Sequence, residues 1–319
     1  VSTPRFLTLP SGVRRTFVET SRGRFAALEA LPGSGVPERW PALLVPGFTG
    51  SKEDFLSVLQ TLAASGRRVV AIDLRGQYET PAGTGPEAYT RAALGEDVAA
   101  VAASLGAEGA ASLGVEGAAS LGADGAAALG AGAGVPVHLV GHSFGGLVTR
   151  ETVLARATRV ASFTLMSSGP GALTGPSADK ALLLRDSIPQ LGMEQIWSLA
   201  LEPDAVGRGV PPEIVAFLRA RTLGNCETGL MIMATELTSC PDRVDELAKF
   251  MADEGLRTLV LYGEDDDVWD PRVQAAMAES LGAEKVVIPS AAHSPSVDAP
   301  ETTAAALTDF WAAAERALR

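Results

Sequence analysis

The chain has 319 residues, 46% of them hydrophobic and 20% charged, so it carries ample material for a large buried core. Lys and Arg total 26 against 38 Asp and Glu, a net charge of −12, which argues against general electrostatic binding of nucleic acid or of an anionic membrane surface. Two cysteines and three histidines form neither a zinc or disulfide framework nor a His-rich metal site. Reduced thiols are expected at Cys226 and Cys240, with a local disulfide as the alternative. No apolar run approaches the ~18 residues of a membrane span, and Val1–Pro10 lacks the basic and apolar regions of a signal peptide. A cytoplasmic location is the expectation.

Short apolar runs alternate with longer amphipathic stretches, the pattern of a mostly parallel sheet covered by helices on both faces. In chain order the strands are expected at Phe17–Thr20, Arg24–Ala30, Ala42–Pro46, Arg68–Asp73, Val137–Gly141, Ala161–Ser167, Thr258–Tyr262 and Lys285–Ile288. Several are unbroken apolar runs, as expected of strands buried on both faces. Helices are expected at Lys52–Ala64, Pro86–Ala103, Gly145–Ala155, Pro271–Leu281 and Pro300–Leu318, and Pro271 and Pro300 stand where a proline opens a helix without losing a needed N–H.

Two segments break the alternation. Residues 103–134 repeat every eight positions (Ser-Leu-Gly-Ala-Glu-Gly-Ala-Ala and close variants). One Leu in eight steps ~80° around a helix, and each Gly costs a helix ~1 kcal/mol relative to Ala, so the repeat reads as a mobile loop within the core, with a helical extension or interaction element as the alternative. Residues 169–255 lack convincing strands but hold amphipathic stretches at Lys180–Asp186, Met193–Leu201, Pro212–Arg221 and Thr228–Thr238. The expected organisation is a core of residues 1–168 and 256–319 with a helical cap at 169–255.

The strongest local signal is Gly141-His142-Ser143-Phe144-Gly145, a Gly-x-Ser-x-Gly directly after an apolar strand and directly before a helix. A sharp strand-to-helix turn strains the serine backbone and brings its neighbours close, which glycines permit. It exposes the hydroxyl and turns the Phe144 N–H toward a developing oxyanion. A serine needs a base and an orienting carboxylate. His138 lies within a strand and His142 within the turn itself, so both read as packing residues. His293 follows the last strand and precedes the last helix, at the same sheet edge as Ser143, and is the expected base. The carboxylate is expected from Glu264-Asp265-Asp266-Asp267 or Asp270, an acidic loop after the seventh strand that lacks the glycine of a calcium site.

With these residues the sequence resembles the α/β-hydrolase superfamily over almost the whole chain outside the repeat and the cap. Leu44-Val45-Pro46-Gly47-Phe48-Thr49-Gly50 looks like the family's His-Gly-Phe oxyanion loop, with Pro46 in place of His. Asp73-Leu74-Arg75-Gly76-Gln77 looks like its Asp-x-Arg-Gly-His-Gly turn, with Gln77 in place of His. The resemblance implies Asp266 as the acid, as the fourth residue of Gly-x-x-Asp, with Asp265 and Asp267 as alternatives. It also implies Phe48 as the second oxyanion N–H beside Phe144. The change at Pro46 removes a side chain that often braces the loop.

The implied activity is that of a serine hydrolase cleaving carboxylic esters of small to medium acyl or alcohol groups, without metal or organic cofactor. Its partner is then a small-molecule substrate. Thr49, Trp197, Met231 and Trp269 are candidate pocket residues, although Met and Trp at helical spacing equally suit ordinary core. A second reading is a thioesterase or a carbon–carbon hydrolase or lyase like the menaquinone-pathway synthase of the superfamily, with Arg185 or Arg219 receiving substrate carboxylates. A third is a non-catalytic ligand-binding protein on this fold.

Overall fold

Each of the eight apolar runs forms a strand of one sheet. The computed structural model describes residues 2–113 and 134–318. The strands are β1 (Val13–Thr20), β2 (Gly23–Ala30), β3 (Arg39–Val45), β4 (Arg67–Ile72), β5 (Val137–His142), β6 (Val160–Met166), β7 (Thr258–Gly263) and β8 (Glu284–Ile288). Their spatial order is β1-β2-β4-β3-β5-β6-β7-β8. β2 is antiparallel to both of its neighbours, and every pair from β4 to β8 is parallel.

Successive side chains of a strand point to opposite faces, and the two cores divide accordingly. On one face Ala42, Leu44, Val69, Ala71 and Val140 pack against α1 (Leu56–Ala63) and α11 (Pro300–Ala317). On the other, Leu43, Val45, Val70, Ile72 and Leu139 pack against α2 (Arg91–Ser112), α3 (Phe144–Leu154), α8 (Val244–Glu254) and α9 (Pro271–Leu281). A four-residue helix, α10 (Pro295–Asp298), precedes α11.

The helical stretch between β6 and β7 holds α4 (Pro176–Ile196), α5 (Glu202–Gly207), α6 (Pro212–Gly224) and α7 (Glu227–Ser239), followed by α8. All five lie within the expected span 169–255, and residues of α4, α7 and α8 share the core on this face of the sheet, among them Ala178, Met233 and Leu247. α4 breaks at Gly192 (φ 68, ψ 163) and is followed by one wide turn at Trp197–Leu201. The insertion is tied down by polar contacts. Arg221 of α6, 1% exposed, donates to Asp54 Oδ1 at 2.8 Å. Arg150 of α3 donates to the carbonyls of Pro170 and Pro241, at the two ends of the insertion. Cys226 and Cys240 are free thiols flanking α7; the first accepts from Tyr89 Oη and the second from Arg150 Nη2.

One expectation is corrected. The helix expected to stop at Ala103 continues to Ser112, so the first repeat unit, 104–111, is helical rather than loop. Its glycines face the chain that enters β5. A Cβ at Gly106 would collide with the Val135 carbonyl, and one at Gly109 would stand 3.0 Å from Val135 Cγ2. The Val135 N–H also donates to the Gly106 carbonyl at 3.0 Å. This docking offsets the helix penalty of the two glycines, which a reading of local propensity cannot register. Beyond Leu113, in the second unit, residues 114–133 of the repeat lie outside the described residues.

Among the described residues no helix is long and apolar enough to cross a membrane.

Candidate active site

The strand order reverses at β3 and β5: β4 lies on one side of β3, and β5 starts the other half of the sheet. At such a switch point the loops after neighbouring strands part and open a crevice at their C-terminal ends. Loops after six strands meet there: 46–51 from β3, 73–80 from β4, Ser143 from β5, 167–169 from β6, 264–270 from β7 and 289–294 from β8.

Ser143 has φ 54 and ψ −121, a conformation costly for a residue with a Cβ. The surroundings impose it. A Cβ at Gly141 would strike Thr149 Oγ1 and the Gly145 carbonyl, and one at Gly145 would strike the carbonyls of Val45 and Pro46. The turn is further held by Ser143 N donating to the Met166 carbonyl at 2.9 Å and by Ser168 Oγ donating to the Ser143 carbonyl at 2.9 Å. Ser143 is 7% exposed.

His293 Nδ1 and Asp266 Oδ1 are 2.9 Å apart. Because an ionised carboxylate only accepts, the ring proton lies on Nδ1, leaving Nε2 free to take a proton. Asp266 is buried while Asp265 and Asp267 are exposed. Its Oδ1 also accepts the N–H groups of Val268 (3.0 Å) and Trp269 (3.1 Å), and its Oδ2 accepts from Gln274 Nε2 (2.9 Å). Burial opposes the charge, but the hydrogen bond and charge of His293, with the two N–H groups, outweigh it and hold the carboxyl below its ordinary range. Ser143 Oγ forms no hydrogen bond to His293 among the described residues; such bonds commonly tighten only when substrate binds.

His142 contacts His293 from the side of Ser143. Its Nε2 lies 2.8 Å from the His293 carbonyl, to which it must donate. Burial, and next the adjacent His293, push its pKa down to about 3. His138 lies at the other end of β5, in a polar cluster with Ser162, Arg67 and Glu315.

The loop after β3 makes a tight turn: Gly50 N donates to the Gly47 carbonyl at 3.1 Å, and Thr49 adopts φ 58. A Cβ at Gly47 would stand 3.0 Å from the Ser143 Cβ, so the turn lies against the serine. Neither Phe48 N–H nor Phe144 N–H is spent on the backbone turns and caps of the described residues.

The pocket candidates separate. Phe48 and Met231 pack together against Ile188, Met193, Ile196 and Leu230, an apolar wall shared by α4, α7 and the loop after β3. Thr49 is half-buried beside Phe48. Trp269 is buried in the main core against Gly169, whose missing Cβ admits the indole. Trp197 is instead enclosed by Ala205, Ile214, Phe217 and Leu218, within the insertion's own packing. Arg219 is exposed and paired with Glu194 at 2.7 Å, and Arg185 is paired with Asp186 at 2.7 Å.

Three further residues support the site: Gln274 on Asp266, Ser168 on Ser143, and Gln77, whose Nε2 donates to the Gly47 carbonyl at 2.9 Å. Gln77 stood out in the sequence only as a departure from the resembled turn. Nothing local marks Gln274, which reaches Asp266 from the first turn of α9.

A model of the alpha/beta hydrolase family matches residues 42–306. Comparison with curated protein sequences gives no match. Among solved structures, an esterase from Thermogutta terrifontis is similar at 22% identity and a TM-score of 0.66, covering 94% of this chain and 99% of that one. A hydrolase from Pseudomonas aeruginosa is similar at 23% identity and a TM-score of 0.64, with the same coverage. An enol-lactonase from Burkholderia xenovorans is similar at 17% identity and a TM-score of 0.65, covering 92% and 99%.

Proposed function

Since the chain belongs to the alpha/beta hydrolase family, we propose that it is a serine hydrolase that cleaves carboxylic esters of small to medium acyl or alcohol groups. The observation that carries this reading is the His293–Asp266 hydrogen bond at the sheet edge that also presents the strained Ser143. His293 Nε2 takes the proton of Ser143 Oγ as the oxygen attacks the ester carbonyl. The tetrahedral oxyanion is held by the N–H groups of Phe48 and Phe144. His293 then gives its proton to the departing alkoxide and the acyl group remains on Ser143. In the second half His293 deprotonates a water, which attacks the acyl-enzyme, and the proton returns to Ser143 as the acid leaves. Asp266 stabilises the imidazolium in both halves.

The wall of Phe48, Met231 and Ile188 supports an uncharged acyl or alcohol group. The pairing of Arg185 and Arg219 with neighbouring acids leaves neither as an unengaged receptor for substrate carboxylates, which weighs against the carbon–carbon lyase reading. p-Nitrophenyl butyrate should be turned over, a fluorophosphonate should label Ser143, and Ser143→Ala should abolish both. A folded protein that neither turns over esters nor is labelled would overturn the proposal; turnover of acyl thioesters alone would move it to a thioesterase.

A further inference from the structure

The chain departs from the resembled pattern at Pro46 in the oxyanion loop and at Gln77 in the turn after β4, and the structure connects the two. Pro46 carries neither a polar side chain nor an N–H, so it cannot brace the turn that follows. Gln77, in the loop after β4, is fully buried, with its amide head against that turn. Its two partners leave no ambiguity of orientation: Oε1 accepts the Leu74 N–H at 3.1 Å, and Nε2 donates to the Gly47 carbonyl at 2.9 Å. The side chain is itself held by a rigid turn, with Gln77 N donating to Leu74 O and Thr80 N to Gln77 O, both at 2.9 Å.

The Gly47 carbonyl and the Phe48 N–H are the two ends of one peptide group. There are no cis peptides among the described residues, and a trans peptide is planar, with its C=O and N–H pointing in opposite directions. Fixing the carbonyl therefore fixes the direction of the N–H. The carbonyl receives two donors, Gln77 Nε2 and Gly50 N. Hydrogen bonds to a carbonyl also polarise the amide and strengthen its N–H as a donor. The same loop after β4 secures the far end of the turn, where Asp73 Oδ1 accepts the Lys52 N–H at 2.7 Å and Oδ2 accepts from Lys52 Nζ at 2.8 Å.

We infer that Gln77 is a positioning residue for ester hydrolysis: it aims and polarises the Phe48 N–H through the carbonyl of the same peptide. It takes over the bracing that the chain lacks at Pro46. This rests on the proposed role of Phe48 as an oxyanion donor. Because that donor matters only once negative charge develops on the substrate oxygen, losing the brace lowers kcat and leaves KM nearly unchanged.

The test uses the full chain with p-nitrophenyl butyrate and a trifluoromethyl ketone, whose adduct with Ser143 carries an oxyanion. In Gln77→Met, which keeps the length and loses the donor, kcat should fall by about 10- to 100-fold, short of the ~10²–10³ for deleting an oxyanion donor outright. KM should stay within about two-fold, and the ketone's inhibition constant should rise by the factor by which kcat/KM falls. Gln77→Glu, which turns an acceptor toward the carbonyl, should lose more. It also serves as the test variant should the methionine variant not fold. A folded variant with wild-type kcat, or a fallen kcat with unchanged ketone affinity, overturns the assignment of Gln77. Absence of ester turnover and of Ser143 labelling in the wild-type protein would instead overturn the hydrolase reading, so the two failures are distinct.

Discussion

Asp266 shows how one carboxylate is selected from a crowd. The loop after β7 offers five acids within seven positions, and only the direction of the side chain separates them. The Asp266 N–H closes a turn onto the Gly263 carbonyl at 3.2 Å, and its carboxylate faces inward onto Val268 N, Trp269 N, Gln274 Nε2 and His293 Nδ1. All four are donors, so the site is built for an acceptor with no proton of its own. Asp266→Asn places an NH2 against one of those donors, or against His293 with the wrong ring nitrogen protonated. Its kcat on p-nitrophenyl butyrate should fall on the order of 10³- to 10⁴-fold with little change in KM, while Asp265→Asn and Asp267→Asn change little. Ser143 and His293 were legible as candidate site residues because each occupies a position that the strand pattern defines. Asp266 was legible only through resemblance, since neither composition nor spacing distinguishes it from Asp265 or Asp267. Gln274 was not legible at all: its role depends on a helix folding back over a loop.

At the scale of elements, β4, β5 and β6 are tied to α11 by a polar cluster at the sheet edge opposite the site. His138 of β5 lies 2.8 Å from Ser162 Oγ, 3.1 Å from Arg67 Nη1 and 3.3 Å from Glu315 Oε1, with the Trp311 ring stacked on it. Burial, opposed by the hydrogen bond to Glu315 and aided by Arg67, lowers the His138 pKa from 6.5 to about 4. The unfolded chain therefore binds this proton at a higher pH than the folded one. The stabilisation is complete above pH 6.5 and is lost as pH falls from there toward 4, a difference on the order of 3 kcal/mol. His142 acts in the same direction. The urea midpoint should decline across this window, and His138→Gln should flatten part of the decline; an unchanged slope in a folded variant would show that the cluster carries none of it. The strands themselves were readable because buried parallel strands are short, unbroken apolar runs. The insertion was less so. Gly192, the wide turn at Trp197–Leu201 and the enclosure of Trp197 arise from helices packing on one another, which one-dimensional periodicity does not encode.

Across the whole molecule, the sheet edge that presents Ser143 and the edge where the repeat docks are kept apart. Ser143 follows the C-terminal end of β5, whereas α2 docks beside Val135, just before β5 begins. The docked unit has near-copies of itself in the chain that follows. Leu105, Gly106, Glu108 and Gly109 recur eight positions later as Leu113, Gly114, Glu116 and Gly117. In the docked unit Leu105 enters the core, Gly106 and Gly109 face Val135 and Pro41, and Glu108 pairs with Arg68 at 2.6 Å; the copy repeats these four residue types in the same order. Removing 104–111 should therefore rebuild the same helix end from the next unit, with valine in place of Ala107. Melting temperature and ester turnover should persist, whereas removing only 104–107 should lower the melting temperature, because it puts side chains where the glycines dock. Those two outcomes together would show that the fold reads the repeat by phase and not by copy number. Gain or loss of whole eight-residue units, twenty-four nucleotides of coding sequence each, would then leave intact the helix end that packs against Val135.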